Sequence, residues 1–242
     1  MQRIAEEQSP FWRRINECKV VISNPIFIFL LIGASLRFFG GYALGFWLAK
    51  FFVGKFPENK AAFAIIHSLS VVLIGVPSHY MAGHFSDKYA DSKPQVKGLL
   101  ACFSGLLAFP FLVIALVISQ NFWISILSIS LDHFPAGMWL GPTFVILQDI
   151  FPSEIVGTAS AIFFFIGGIS GAISNILLGT LSDHFNIDEN PNIAGYLLVI
   201  CTAISHLGSS PFYFITSQKY KKFIFNQKRR SSVISESVDL SE

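Results

Sequence analysis

The chain has 242 residues, 52% of them hydrophobic and 13% charged, about half the charged fraction of an average soluble domain. Its apolar residues fall in long blocks with Phe dominating the aromatics, which excludes a soluble globular domain and indicates an integral membrane protein. The net charge of +2 is uninformative until it is divided among segments, and Cys18, Cys102 and Cys201 have no paired spacing, so neither a disulfide framework nor a thiolate metal site is indicated.

Residues 1–24 read as a cytoplasmic N-terminal segment. They carry Arg3, Arg13, Arg14 and Lys19 with three glutamates, and they lack the continuous apolar core of a secretory signal. Six apolar runs follow, near 25–52, 61–81, 98–119, 122–148, 155–181 and 193–216. Each reaches the ~20 residues needed to cross about 30 Å of hydrocarbon. The runs predict a bundle of six transmembrane helices over 25–216. The first, fourth and fifth exceed the minimum and imply tilt or an interfacial end.

Charge sets the expected orientation. With both termini cytoplasmic, the inside segments hold thirteen basic residues: the four above, Lys88, Lys93, Lys97 and six in the tail. The outside holds Lys50, Lys55 and Lys60, and the 182–192 loop carries Asp183, Asp188 and Glu189 without a Lys or Arg. This asymmetry follows the positive-inside rule. Residues 217–242 read as a cytoplasmic tail, basic through KYKKFIFNQKRR and then disordered. The basic part serves as a topogenic cluster or as a contact to anionic lipid, and phosphorylation of the serines after Arg230 would weaken such a contact.

Pro77, Pro110, Pro135, Pro142 and Pro211 interrupt the runs, and each removes a backbone donor, so kinks are expected. The fourth run also contains Asp132 and His133. A carboxylate at the centre of a membrane helix costs roughly 2.5–3.5 kcal/mol on insertion scales and persists where it faces protein or a watery path. Arg37 lies about a dozen residues into the first run, roughly 18 Å from its start, and Asp132 about ten residues from the opposite end of its own, roughly 15 Å deep. The two charges therefore sit at similar depth. One reading makes them a permanent ion pair between helices; the other makes them a substrate or proton-coupling site that includes His133. A His beside a Pro is also a common packed hydrogen-bonding residue. Trp139, seven residues after Asp132, returns to the same helical face and suits either substrate stacking or aromatic packing. His67 and His206 are weaker candidates.

After the second run comes GHFSDKYADSKPQVK, with Gly83 and Asp87 four apart and Lys88 next. This resembles the G-x-x-x-D-[RK] loop signature of the major facilitator superfamily. The fifth region, with Pro152, Gly157, Thr158 and Ala159, the small-residue ridge Gly167, Gly168 and Gly171, and the closing Gly179, Ser182 and Asp183, is similar to the loop and eleventh helix of that superfamily. The first region is similar to the seventh helix, especially in the spinster-like subgroup, through Asn24-Pro25, Gly33, the stretch 38–41 and Phe46-Trp47. The spacing of Asp132 and Trp139 is a further likeness to that subgroup. The resemblance covers the chain as the C-terminal six-helix half of a twelve-helix transporter. It implies alternating access around a midplane site, cavity-lining roles for the helices of Arg37 and Asp132, and a gating role for Gly83, Asp87 and Lys88. The implied partners are the lipid bilayer, a small-molecule substrate and a missing N-terminal half or another copy. Neither a cofactor nor nucleic acid is implied, and no nucleotide-binding loop is present.

One departure is that Ile155-Val156 stand where the family usually shows a basic pair. Two other functional classes compete with this reading. Gly168-Ile169-Ser170-Gly171 with His206 matches a rhomboid-like intramembrane serine protease in outline, but the Gly-rich ridge explains the same residues as packing, and no enzyme is expected. A six-helix scaffold or regulatory fragment is the remaining alternative.

Overall fold

The computed structural model describes residues 10–187 and 189–239. Segment 1–9 with Arg3, Asp188 of the acidic loop, and residues 240–242 lie outside the described residues.

Helix formation follows from the hydrocarbon environment, where every backbone donor and acceptor must be satisfied within its own segment. A 14-residue helix α1 (Pro10–Ser23) precedes the first crossing, α2 (Pro25–Lys55). The break between them is set by Asn24, whose Oδ1 accepts from Ile26 N at 2.9 Å and Phe27 N at 3.3 Å, with Pro25 as first helical residue. The second crossing, Pro57–Lys88, runs through α3 (Lys60–Ser70), a π-helical turn at Val71–Gly75 and α4 (Val76–Lys88). The turn lies just ahead of Pro77, which offers no N–H to Leu73. The third, Val96–Ile118, is α5 (Val96–Val113) closed by a second π turn at Ile114–Ile118. Asn121 then caps α6 (Phe122–Gly137) as Asn24 caps α2, accepting from Trp123 N at 2.8 Å and Ile124 N at 3.3 Å.

The fourth crossing is broken. Pro135 withdraws a donor, α6 ends with Met138 N bonded to the Pro135 carbonyl at 3.1 Å, and α7 (Leu140–Ile150) restarts after Trp139. Thr143 fastens the restart by donating both N (3.1 Å) and Oγ1 (2.6 Å) to the Trp139 carbonyl. The fifth and sixth crossings are α8 (Ser153–His184) and α9 (Pro191–Asp239). Among the described residues, five of the six crossings are continuous helical runs long and apolar enough to span a bilayer; α6 and α7 supply the other as 16- and 11-residue pieces. The fold class expected from the sequence is thus the one observed. Pro110 and Pro211 are carried inside helices, and Pro142 falls in the first turn of α7, where its missing N–H costs nothing.

Two segments differ from the sequence expectation. The stretch before the first crossing, read only as a basic segment, is the helix α1. Its Glu17 Oε2 accepts from Thr158 Oγ1 at 2.6 Å and Arg14 Nη1 at 2.9 Å, which ties it to α8. The Thr158 hydroxyl and then Arg14 hold the Glu17 carboxyl below its ordinary pKa. The 217–239 stretch, expected to be a basic and then disordered tail, continues α9 as helix. Its first turns are packed, with Phe223 and Ile224 against the core.

Two apolar clusters fill the bundle. One, at the end where α2 starts, contains Phe27, Leu30, Ile146, Phe163 and Tyr213. The other, at the opposite end, contains Phe51, Phe52, Phe63, Leu116 and Phe122, with Phe52 and Phe63 stacked at 4.6 Å. The helices α2, α5, α8 and α9 contribute to both clusters, and α2, α5 and α9 carry the buried polar side chains Arg37, Ser104 and His206 between their two sets of core residues; Asp132 is buried on α6 just beyond that helix's contribution to the second cluster.

At the α2-start end, Lys97 of α5 donates to Asp149 Oδ2 of α7 at 2.8 Å and to Tyr220 of α9 at 3.0 Å, and Tyr220 donates to the same carboxylate. The helices of this triad approach closely through Gly98, where an added Cβ would lie 2.6 Å from Ser217 Cβ and 2.8 Å from its Cα. Gly98→Ala is expected to overpack this backbone contact at a cost of about 1–3 kcal/mol. Gly83, whose Cβ position faces open space, is the control. Thermal unfolding of the purified protein should show a midpoint lowered by roughly 2–10 °C for Gly98→Ala and not lowered for Gly83→Ala, where alanine gains helix propensity without a clash.

Candidate functional site

Arg37 is 4% exposed although it sits in the middle of an apolar helix. Its Nη2 donates to Ser104 Oγ at 2.8 Å, and the Ser104 hydroxyl is oriented to accept because its own proton goes to the Ala101 carbonyl at 2.8 Å. Nη2 also approaches the Ala136 carbonyl at 3.5 Å, and the guanidinium lies 5.5 Å from the centre of the Trp139 ring. Both contacts depend on the α6–α7 break, which exposes the last carbonyls of α6 and turns Trp139 toward α2. Ser78 of α4 uses another carbonyl of the same turn, donating to Phe134 O. Nη1 is buried without a hydrogen-bond partner among the described residues. Gly105 gives the guanidinium its space, since a Cβ there would lie 2.7 Å from Nη1.

Asp132 is likewise 4% exposed, and its Oδ1 has no hydrogen-bond partner among the described residues. Among the described residues no ion pair within 4.0 Å joins it to Arg37. The direct pair that similar depth suggested is replaced by the Ser104, Ala136 and Trp139 contacts, which already occupy one edge and one face of the guanidinium. His133 is half-buried, with its ring 5.2 Å from that of His67, which in turn stacks on Phe63 at 5.2 Å. His133 Nε2 and His67 Nδ1 are buried without hydrogen-bond partners among the described residues.

These groups face one cavity of about 340 Å³, lined by Arg37, His67, Asp132, His133, Trp139 and His206 with Leu44, Leu48, Leu112 and Ile129 as its apolar wall. A second space of about 350 Å³, bounded by the π turn and His79, shares Val71, His133, Ala136 and Trp139 with it. Buried polar atoms are normally bonded. Here the unbonded atoms of Arg37 and Asp132 belong to residues of one cavity, an arrangement able to receive a solute with both charged and apolar parts.

The other sequence candidates lie elsewhere. Gly167 and Gly171 are buried against the Phe38 and Tyr42 rings of α2, while Gly168 has open space at its Cβ position. Asp87 and Lys88 are exposed on the last turn of α4, outside the cavity, with Lys88 over the Tyr89 ring at 5.8 Å. Ile155 and Val156 pack against the apolar cluster at the α2-start end. Ser170 donates to the Ser35 carbonyl at 2.7 Å and makes no hydrogen bond to His206 among the described residues. Ser104 was missed by sequence reasoning; a lone hydroxyl beside Gly105 in an apolar run was its only signal.

Residues 4–175 match the family model described as Major Facilitator Superfamily. The chain belongs to that superfamily. An MFS-type efflux pump of Mycolicibacterium smegmatis (strain ATCC 700084 / mc(2)155) is 22% identical over 209 residues, covering 86% of this chain and 48% of the pump. The fold is similar to crystal structures of a bacterial homologue of the human lysosomal transporter Spinster. The inward-facing, unoccupied form gives a TM-score of 0.68 at 16% identity over 89% of this chain and 52% of that one. The inward-facing, occupied form gives 0.61 at 16% identity over 83% and 50%. The superfamily chain described here is an integral, multi-pass membrane protein, and it spans about half the length of the relatives it matches.

The cavity makes an accessibility prediction. Gly41 and Gly45 line it and have open space at their Cβ positions, whereas Ala101 is buried in the core. In a background lacking the three native cysteines, Gly41→Cys and Gly45→Cys should react rapidly with a charged methanethiosulfonate, and Ala101→Cys should be protected. Protection at both glycine positions would mean that this face is closed.

Proposed function

We propose that this chain supplies the C-terminal six-helix half of a secondary transporter that moves a small organic or lipid-like solute by alternating access. The observation that carries the reading is the cavity in which Arg37 and Asp132 keep unbonded buried atoms beside an apolar wall. A scaffold has no use for such groups, which cost stability unless something satisfies them. In this reading Arg37 contacts an anionic part of the solute, Trp139 and the aliphatic wall contact its apolar part, and Asp132 with His133 takes up the coupling proton. The solute or the proton shifts the balance of outward- and inward-open states by binding them unequally.

Residues 25–216 form the transporting bundle, flanked by cytoplasmic segments at 1–24 and 217–242. The division of basic residues supports that orientation. Gly83, Asp87 and Lys88 then lie at the cytoplasmic end, where the exposed Asp87 and Lys88 are available to a second half, either a separate N-terminal bundle or another copy. The likeness to the Spinster homologue, with the Asn24-Pro25 and Asp132/Trp139 patterns, supports a spinster-like subgroup.

The test is uptake in vesicles carrying the chain together with a complementary six-helix half, against a panel of organic anions and anionic lipids. Arg37→Gln and Asp132→Asn should each lower uptake at least tenfold, equivalent to about 1.4 kcal/mol or more, and Asp132→Asn should also flatten its pH dependence. Unaltered uptake and pH dependence in both variants would refute the assignment.

A further inference from the structure

Away from the cavity, α9 continues as a helix beyond its packed turns. Residues 225–233 are exposed and therefore leave the helix at little cost in packing. Lys228 in this stretch reaches back to the bundle, its Nζ donating to Asp91 Oδ1 at 3.0 Å and to the Asp91 carbonyl at 3.3 Å. Asp91 sits in the turn between α4 and α5, immediately after Gly83, Asp87 and Lys88. The latch is solvent-exposed, with side-chain exposures of 51% and 100%, and pairs of that kind are weak and easily exchanged.

One helical turn beyond Lys228 stands Ser232, preceded by Arg229 and Arg230 and followed by Val233. Its hydroxyl donates to the Arg229 carbonyl at 2.9 Å, the local bond of a serine on a helix surface. Two guanidinium groups three and two residues before an exposed serine, with an apolar residue after it, fit the acidic substrate cleft of an arginine-directed protein kinase.

We propose that Ser232 is a phosphorylation site and that its phosphate releases the α9 latch from the α4–α5 turn. In the transfer, Ser232 Oγ attacks the γ-phosphorus of ATP. The Oγ–P bond forms as the bond from that phosphorus to the β,γ-bridging oxygen breaks, ADP leaves with the electron pair, and the hydroxyl proton passes to a carboxylate base of the kinase. The product brings close to two negative charges within one turn of Lys228 and Arg229. Charge-assisted bonds to a phosphate are stronger than an exposed lysine–aspartate pair, so Lys228 exchanges Asp91 for the phosphate and the turn is freed. The inference rests on the cytoplasmic placement of the tail and not on the solute reading of the cavity.

The test uses the purified full chain in detergent, where both faces are accessible, with MgATP and the catalytic subunit of an arginine-directed kinase. Peptide mapping should find phosphate on Ser232, absent in Ser232→Ala and retained in Ser231→Ala. Arg229→Gln with Arg230→Gln should slow the initial rate by about tenfold or more. Spin labels at Ser92→Cys and Asn226→Cys, in a background without native cysteines, should report a broader and longer distance distribution on phosphorylation, matching that of unphosphorylated Asp91→Asn. No phosphate on Ser232 would overturn the site, and phosphorylation that leaves the distance unchanged would overturn the release.

Discussion

Arg37 keeps its charge at any physiological pH, and in the middle of α2 it has no route to water along its own helix. The bundle therefore has to supply its partners. Ser104 is presented by α5 with its proton already committed to Ala101, leaving a lone pair for the guanidinium. Gly105 removes the side chain that would displace it. The Ala136 carbonyl and the face of Trp139 come from the crossing that Pro135 breaks. Three helices are held in register around one cation, and the requirement explains why a proline, a serine and a glycine appear where apolar side chains would otherwise pack better.

The surrounding architecture isolates this layer. Apolar clusters above and below it, built from Phe51, Phe52 and Phe63 on one side and Phe27, Phe163 and Tyr213 on the other, supply dispersion and close packing. Between them Arg37, Ser104, Asp132 and His206 form a polar layer at one depth. Hydrocarbon strengthens every electrostatic interaction in such a layer and penalises every unpaired group. That the layer still leaves Arg37 Nη1 and Asp132 Oδ1 without partners is consistent with a site completed by something other than this bundle. The second six-helix half of a superfamily transporter and its solute meet that description.

Much of this was legible from residue types alone. Six apolar runs predicted six crossings because length against bilayer thickness is a strong constraint. Arg37, Asp132 and His133 stood out because ionisable groups in hydrocarbon are expensive, and Trp139 because it lies seven residues after Asp132; all four line one cavity. Trp139 arrives there by a route the helical wheel did not anticipate, since the helix that was to carry it round to Asp132 is interrupted at Met138. Depth placed Arg37 and Asp132 at one level but could not reveal that Ser104 and a freed carbonyl would intercept the guanidinium; that depends on contacts 67 and 99 residues apart in the chain. The helical α1 and the continuation of α9 were hidden for a different reason, since polar sequence outside the bilayer carries no length constraint.

Infrared difference spectroscopy of the Asp132 carboxyl, in the chain co-assembled with a complementary six-helix half in lipid, tests the central claim most directly. The claim predicts a protonated-carboxyl band, absent from Asp132→Asn, that changes as pH is stepped and changes again when a solute active in the uptake panel is added. A band indifferent to both pH and solute would contradict it and leave Asp132 as a structural residue of the polar layer.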